Sequence, residues 1–254
     1  MSSSTPAPGT RTASPASPGS LTERRKAETR MDIARAAAGL FVRQGLRATR
    51  AEDIAQAAGI APRTFYRYFA TKEEAVAPLY AAGAQRWAEA VAAAPAHLTV
   101  PEALEHAVQY TLTPGAGVSA ASWELVRTLI RLTDSSPALG KVWAEVCHES
   151  EGRLGEVLVG RVYGGLGAGG GGDGVESDGV GRSAGGDNVA VSSDLAPSLC
   201  FAAAVAGAAV RVAVERWASG DAPARGPEGP AALALRNLAA LRSFPWDEVF
   251  SSPA

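Results

Sequence analysis

The segment Thr49 to Lys72 constrains this chain more than any other: Thr-Arg-Ala-Glu-Asp-Ile-Ala-Gln-Ala-Ala-Gly-Ile-Ala-Pro-Arg-Thr-Phe-Tyr-Arg-Tyr-Phe-Ala-Thr-Lys. It reads as two short helices around a glycine turn. Thr49 and Glu52 have the spacing of a capping box, in which each side chain reaches a backbone N–H of the other's residue. Ile54, Ala55 and Ala58 give the first helix an apolar face, and Gly59 stands where a helix ends most easily in the left-handed conformation. Ile60 is an apolar plug for the turn. Pro62 suits a first helical position, where its missing N–H costs nothing. Phe65 and Phe69 are four apart and share one face, the core face. Arg63, Thr64, Tyr66, Arg67 and Tyr68 fall on the remaining arc. Thr71-Lys72-Glu73-Glu74 repeats the capping signature and opens another helix, with Lys72 in its first turn beside exposed backbone N–H groups that suit a phosphate.

Upstream, Ile33, Ala37, Leu40 and Phe41 follow helical spacing and mark one amphipathic helix from about Leu21 to Gln44, ended by Gly45. Three such helices form a trihelical unit whose second and third members make a helix-turn-helix. A helix that buries Phe65 and Phe69 and offers Arg, Thr and Tyr on its other side suits a DNA major groove. Helix-turn-helix geometry also occurs without DNA binding, and charged helix faces are often merely solvated. Two features weigh against that reading. Tyrosines interleaved with arginines are not needed for solubility, and the charge is uneven. Residues 21–80 hold 11 Lys+Arg against 7 Asp+Glu, a net +4, whereas residues 81–254 carry −7. A basic module on an acidic body fits a protein that touches DNA at one end.

Ala27-Glu28-Thr29-Arg30, Leu40 to Gly45, Ala48-Thr49, Asp53-Ile54-Ala55, Ala58-Gly59-Ile60, Thr64 to Phe69 and Lys72-Glu73 together resemble the N-terminal domain of TetR-family transcriptional regulators. The resemblance runs over about sixty residues without a gap. Ala61 departs from it, because the family often has Ser or another polar residue at that cap; losing the side-chain acceptor costs about 1 kcal/mol. The resemblance implies an all-α chain: a helix-turn-helix DNA-binding domain over residues 21–80, then a helical ligand-binding and dimerisation domain over 81–254. The expected DNA-contacting set is Thr49, Arg50, Pro62, Arg63, Thr64, Tyr66, Arg67, Tyr68 and Lys72, with Thr49, Tyr68 and Lys72 gripping phosphate. The function implied is a repressor released from a near-palindromic operator by a small apolar or acyl-type effector. An activator of the same fold stays open, because a helix-turn-helix only positions the protein.

Residues 1–20 are Ser, Pro, Thr and Gly with no apolar core, so they read as a disordered tail rather than a signal peptide. No stretch is long and apolar enough for a membrane span, and a cytoplasmic protein is expected. Cys147 and Cys200 read as apolar residues. His97, His106 and His148 are too scattered for a metal site, and no cofactor is expected. Residues 164–188 hold 12 glycines and read as a flexible loop. The formal G-x-G-x-x-G at Gly165, Gly167 and Gly170 lacks the flanking strand and helix of a phosphate cradle.

Past Tyr80, breakers divide the chain into helices expected at Thr71–Ala93, Pro101–Leu112, Ser119–Thr133, Ser136–Tyr163, Leu195–Ser219 and Pro230–Leu241. Pro78 either bends the first of these or marks its beginning. The order Trp123, Arg127, Arg131, Pro137-Ala138-Leu139, Glu151, Leu154 and Arg161 resembles C-terminal domains of TetR-type regulators from actinobacteria that sense acyl-CoA-like ligands, and implies no particular contact residue. Helices packed around small side chains can enclose an apolar pocket. Its expected walls are Trp123, Leu129, Leu132, Val142, Trp143, Val146, Phe201 and Val205, each of which reads equally as ordinary core. Ala202, Ala206, Gly207 and Ala209, with Val210, Val214 and Trp217, offer a close-packing apolar stripe for a homodimer built on the last two helices. An enzyme would need a nucleophile, base or metal constellation, and none has recognisable spacing. A helical adaptor that binds no DNA is the third class.

Overall fold

The N-terminal helices form because each carries an apolar stripe and an explicit stop. The computed structural model describes residues 18–115, 120–168 and 187–243. Helix α1 (Pro18–Gln44) ends at Gly45, which takes φ 83°. Helix α2 (Ala51–Ala57) ends before Gly59 at φ 68°, and α3 (Pro62–Tyr68) opens on Pro62. Both glycines sit in the left-handed region that side chains resist. Ala61 caps α3 without a side-chain hydrogen bond, as its residue type requires.

The cap of α2 differs from the expected one by a residue. Asp53, not Glu52, reaches back, accepting from the Arg50 backbone N–H at 2.9 Å, so Arg50 is the cap. Thr49 is drawn inward instead. Its side chain is 1% exposed, and its hydroxyl donates to the Gly45 carbonyl at 2.8 Å, satisfying an acceptor left over at the end of α1.

A 3₁₀ turn at Glu74–Val76 follows, and only then α4 (Ala77–Ala93). The Thr71 hydroxyl accepts from the Glu74 N–H, and the Glu74 carboxylate accepts from the Ala70 N–H, so the capping signature closes this turn rather than the long helix. Pro78 lies in the first turn of α4 and marks its start, with no bend.

The remaining helices are α5 (Val100–Leu112), α6 (Ala120–Ser135), α7 (Pro137–Ala168), α8 (Asp187–Ser219) and α9 (Pro230–Ala239), then a 3₁₀ turn at Ala240–Ser243. No strand occurs among the described residues. Helix α5 starts one residue before Pro101, because Thr99 and Glu102 form the capping box: the Thr99 N–H and hydroxyl both donate to the Glu102 carboxylate. Those bonds, the hydroxyl's first, hold the Glu102 carboxyl below its usual range. Helices α7 and α8 run further into the glycine-rich segment than expected, to Ala168 and from Asp187. The centre of that segment, including Gly170, and residues 1–17 of the expected tail lie outside the described residues.

Two large cores result. Ile33, Phe41, Ile54, Phe65, Phe69, Val76 and Tyr80 bury together with Leu129 of α6 and Leu139, Val142 and Val146 of α7. Trp87, Val91, Leu104, Val108, Leu154, Leu158 and Leu199 form the other with alanines of α8 and with Leu238. Helix α4 contributes to both and crosses the boundary expected at residue 80 without a break.

Arg161 laces the far end of α4. Its guanidinium donates to the carbonyls of Val91, Ala94, Pro95 and Leu98 at 2.7–3.3 Å. Arg161→Ala removes all four bonds, leaving the Val91 and Pro95 carbonyls only the backbone N–H groups of Ala94 and Leu98, and should destabilise the fold by about 1–3 kcal/mol in urea denaturation. Arg161→Lys should recover little, since a single ammonium cannot span the fan of carbonyls.

Candidate nucleic-acid interface and cavity

Helix α3 is held from behind and open in front. Phe65 and Phe69 are buried with ring centroids 5.8 Å apart, and the Arg30 guanidinium lies 4.6 Å from the Phe69 centroid. Arg30 also donates to the Tyr68 carbonyl at 3.1 Å, pinning the end of α3 to α1. In front, Arg63, Tyr66 and Arg67 are exposed, as is Pro62; Thr64 and Tyr68 are half-buried. The Arg67 guanidinium stands 5.3 Å from the Tyr68 ring centroid. Tyr66 donates from its hydroxyl to Glu52 of α2 at 3.2 Å. Partial desolvation and the Glu52 charge raise the Tyr66 phenol above its usual value, so it stays a neutral donor. The one-residue shift in the α2 cap is what frees Glu52 for this bridge.

Two residues expected to meet phosphate do other work. Thr49 is buried and its hydroxyl is engaged within the chain. The half-buried Lys72 donates to the carbonyls of Leu46 and Thr49 at 2.7 and 2.9 Å. It ties the α1–α2 loop to the segment after α3, and it lies two residues before the 3₁₀ turn rather than within a helix. Arg50 is exposed on that loop. Arg30, which sequence reasoning named only within the family resemblance, continues the buried stripe of α1: Ile33, Ala37 and Phe41 follow it by three, seven and eleven residues, so its spacing was a usable signal.

A cavity of about 180 Å³ lies among α4, α5, α6, α7 and α8. Of its expected walls, Trp123, Trp143 and Val146 line it. Leu129, Leu132 and Val142 do not: they pack into the core that also buries α1–α3. Phe201 is 56% exposed, and Val205 packs on the second core. The missed wall is that of α4, where Tyr80, Gly83, Ala84 and Trp87 recur at i, i+3, i+4 and i+7 and all line the cavity. That spacing was a usable signal. Burial pushes the lining Cys147 thiol up to about 12, so it is a neutral wall atom near neutral pH.

The stripe expected to pair subunits is turned inward. Ala202, Ala206, Val214 and Trp217 are buried within the chain, and Val210 lines the cavity. The opposite side of α8 carries the exposed Val212 at 48%.

Among the described residues no group of His, Cys, Asp and Glu is arranged to hold a metal, and no helix is long and apolar enough to cross a membrane. A helix-turn-helix that presents arginines and tyrosine outward is the arrangement that DNA-binding regulators use. The family described as bacterial regulatory proteins of the tetR type matches residues 33–77. The HTH-type transcriptional regulator TcmR of Streptomyces glaucescens is 32% identical over 162 residues, 63% of this chain and 71% of that protein. Among solved structures, a TetR-family transcriptional regulator from Mesorhizobium loti has a TM-score of 0.46 at 18% identity, covering 86% of this chain and 97% of the other. Thermus thermophilus FadR, a TetR-family repressor in complex with lauroyl-CoA, has a TM-score of 0.46 at 23% identity, covering 84% and 92%. The chain belongs to the TetR family and is a transcriptional regulator, not an enzyme.

Lys72→Ala should lower stability by about 1–3 kcal/mol, the scale for losing charge-assisted bonds to part-buried carbonyls. Chemical denaturation measures it; an unchanged midpoint would place the Lys72 ammonium outside the loop.

Proposed function

We propose that this protein is a repressor that reads DNA with α3 as a symmetric dimer and is released by a small apolar molecule in the α4–α8 cavity. The observation that carries the reading is the outward set Arg63, Tyr66 and Arg67 on a helix whose reverse face is locked by Phe65, Phe69 and Arg30. A rigid support lets side chains reach base edges without first ordering the helix. Arg63 and Arg67 suit the guanine edge; Arg50, Pro62, Thr64 and Tyr68 border the same surface, and Tyr68 suits phosphate. Lys72 and Thr49 act by holding the loop that carries Arg50.

Release follows from the path of α4. Its first half lines the cavity, and it follows directly on the 3₁₀ turn whose Ala75 and Val76 bury in the same core as α1. An occupant that prefers one tilt of α4 shifts the spacing of the paired α3 helices by its differential affinity alone. Coupling of about 1–3 kcal/mol changes operator affinity roughly 5–150-fold, and operator DNA weakens the occupant by the same factor. The two α3 helices must enter grooves about 34–36 Å apart, or a multiple of that. The protein acts in the cytoplasm, where its operator lies.

DNA retained by the purified protein from its own genome supplies the operator for two measurements. Arg63→Ala and Arg67→Ala should each weaken binding by about 1–3 kcal/mol with an unchanged far-UV spectrum; full affinity in both rules the assignment out. The outer side of α8 supports the dimer, so Val212→Glu should raise the monomer fraction in sedimentation and weaken operator binding in parallel. A Val212→Glu protein that stays dimeric moves the interface elsewhere.

A further inference from the structure

The hydrogen-bonding capacity of the cavity wall is lopsided. Four aromatic side chains with a polar atom line it: Tyr80, Trp87, Trp123 and Trp143. Two are satisfied within the chain. Tyr80 donates from its hydroxyl to the Leu129 carbonyl at 3.0 Å, and Trp143 Nε1 donates to the Glu215 carboxylate at 2.7 Å. The other two are not. Trp87 and Trp123 are only 7% and 4% exposed, and neither indole Nε1 has an acceptor among the described residues. Buried donors seldom stay unmatched, because the water they gave up is not replaced.

No acceptor of the lining lies within reach of these two donors. The Thr111 hydroxyl donates to the Ala107 carbonyl and the Ser150 hydroxyl to the Cys147 carbonyl, both along their own helices. The charged groups of the lining are Arg86, Glu151 and Arg211. Arg211 is held by Glu215 at 3.1 Å, and Glu151 lies 3.6 Å from His148. Behind the wall, Trp123 meets Trp217 edge to face at 5.4 Å, which fixes its ring.

We propose that the cavity takes an uncharged, largely apolar molecule carrying a carbonyl or ether-type oxygen, which accepts from the indole N–H groups of Trp87 and Trp123. This rests on the effector reading above and names the chemistry of the effector. The apolar body is required by Leu79, Tyr80, Val126, Ile130, Val146 and Val210 in the wall. The absence of charge follows from the donors and their surroundings: two neutral indoles supply hydrogen bonds without a counter-charge, Arg211 is already paired with Glu215 and Arg86 is exposed to water, whereas a buried carboxylate needs a counter-charge of its own.

The test compares tetralin with 1-tetralone, one bicyclic skeleton without and with a carbonyl, by calorimetric titration of the full chain. The variant Ala84→Phe, which extends a side chain from α4 into the cavity, locates the binding. We expect 1-tetralone to bind about tenfold tighter, the return of roughly one well-made hydrogen bond. Both compounds should lose most of their affinity for Ala84→Phe, with its far-UV spectrum unchanged. The double variant Trp87→Phe/Trp123→Phe keeps aromatic rings and removes both N–H groups; the ketone's advantage should vanish there while tetralin changes little. Equal affinities in the unsubstituted protein overturn the acceptor and leave the cavity as an effector site. A ketone advantage that survives in the double variant overturns the indole assignment. Tighter binding of 1-naphthoate than of 1-tetralone overturns the uncharged class. Failure of both neutral compounds to bind, or undiminished binding to Ala84→Phe, overturns the effector reading itself.

Discussion

Tyr80 joins the two halves of the molecule. It is buried, its hydroxyl donates to the Leu129 carbonyl of α6, and its ring meets Trp143 of α7 edge to face at 5.0 Å. It therefore belongs at once to the core that supports α3 and to the wall of the cavity. Burial raises its phenol well above the usual value, so the bond to Leu129 is made by a neutral donor at any physiological pH. A helix that crosses from one core to the other through such a residue cannot tilt without disturbing both. The fold in this way places the cavity wall and the core beneath α3 on one mechanical element.

Alanine-rich helices supply little side-chain volume, and the chain compensates with arginine. Arg161 binds carbonyls at the end of α4; Arg127 and Arg131 bind those of Ala222, Ala218 and Gly220 at the end of α8, and Arg30 binds that of Tyr68 at the end of α3. Helix C-termini leave carbonyls without intrahelical partners and carry partial negative charge, so a guanidinium suits both needs. Arg127 further stacks on Trp217 at 4.2 Å and is largely buried. These links connect residues 38 to 95 positions apart. They fasten long helices whose small residues would otherwise slide.

Much of the fold was legible because its signals are local. Gly45 and Gly59 take the positive φ that only glycine adopts readily, Pro62 and Pro78 open helices, and the spacing of Phe65 and Phe69 marks one buried face. The outward arc of Arg63, Tyr66 and Arg67 follows from the same geometry. The caps were read less well. Thr49 and Asp53 compete for one short loop, and the carbonyl of the half-buried Gly45 decides between them in a way no spacing rule contains.

The sequence by itself determined the helical class, the helix order and the face that α3 turns outward, since these depend on contacts three or four residues apart. Only tertiary structure decided which apolar residues line a cavity and which fill a core. Leu129 and Trp123 share α6, yet one packs beneath the DNA-binding unit and the other lines the cavity. The same holds for Val214, turned into its own subunit, and for Lys72, drawn to two carbonyls more than twenty residues away. Hydrophobic burial is non-directional, so periodicity tells which side of a helix is buried but not what buries it.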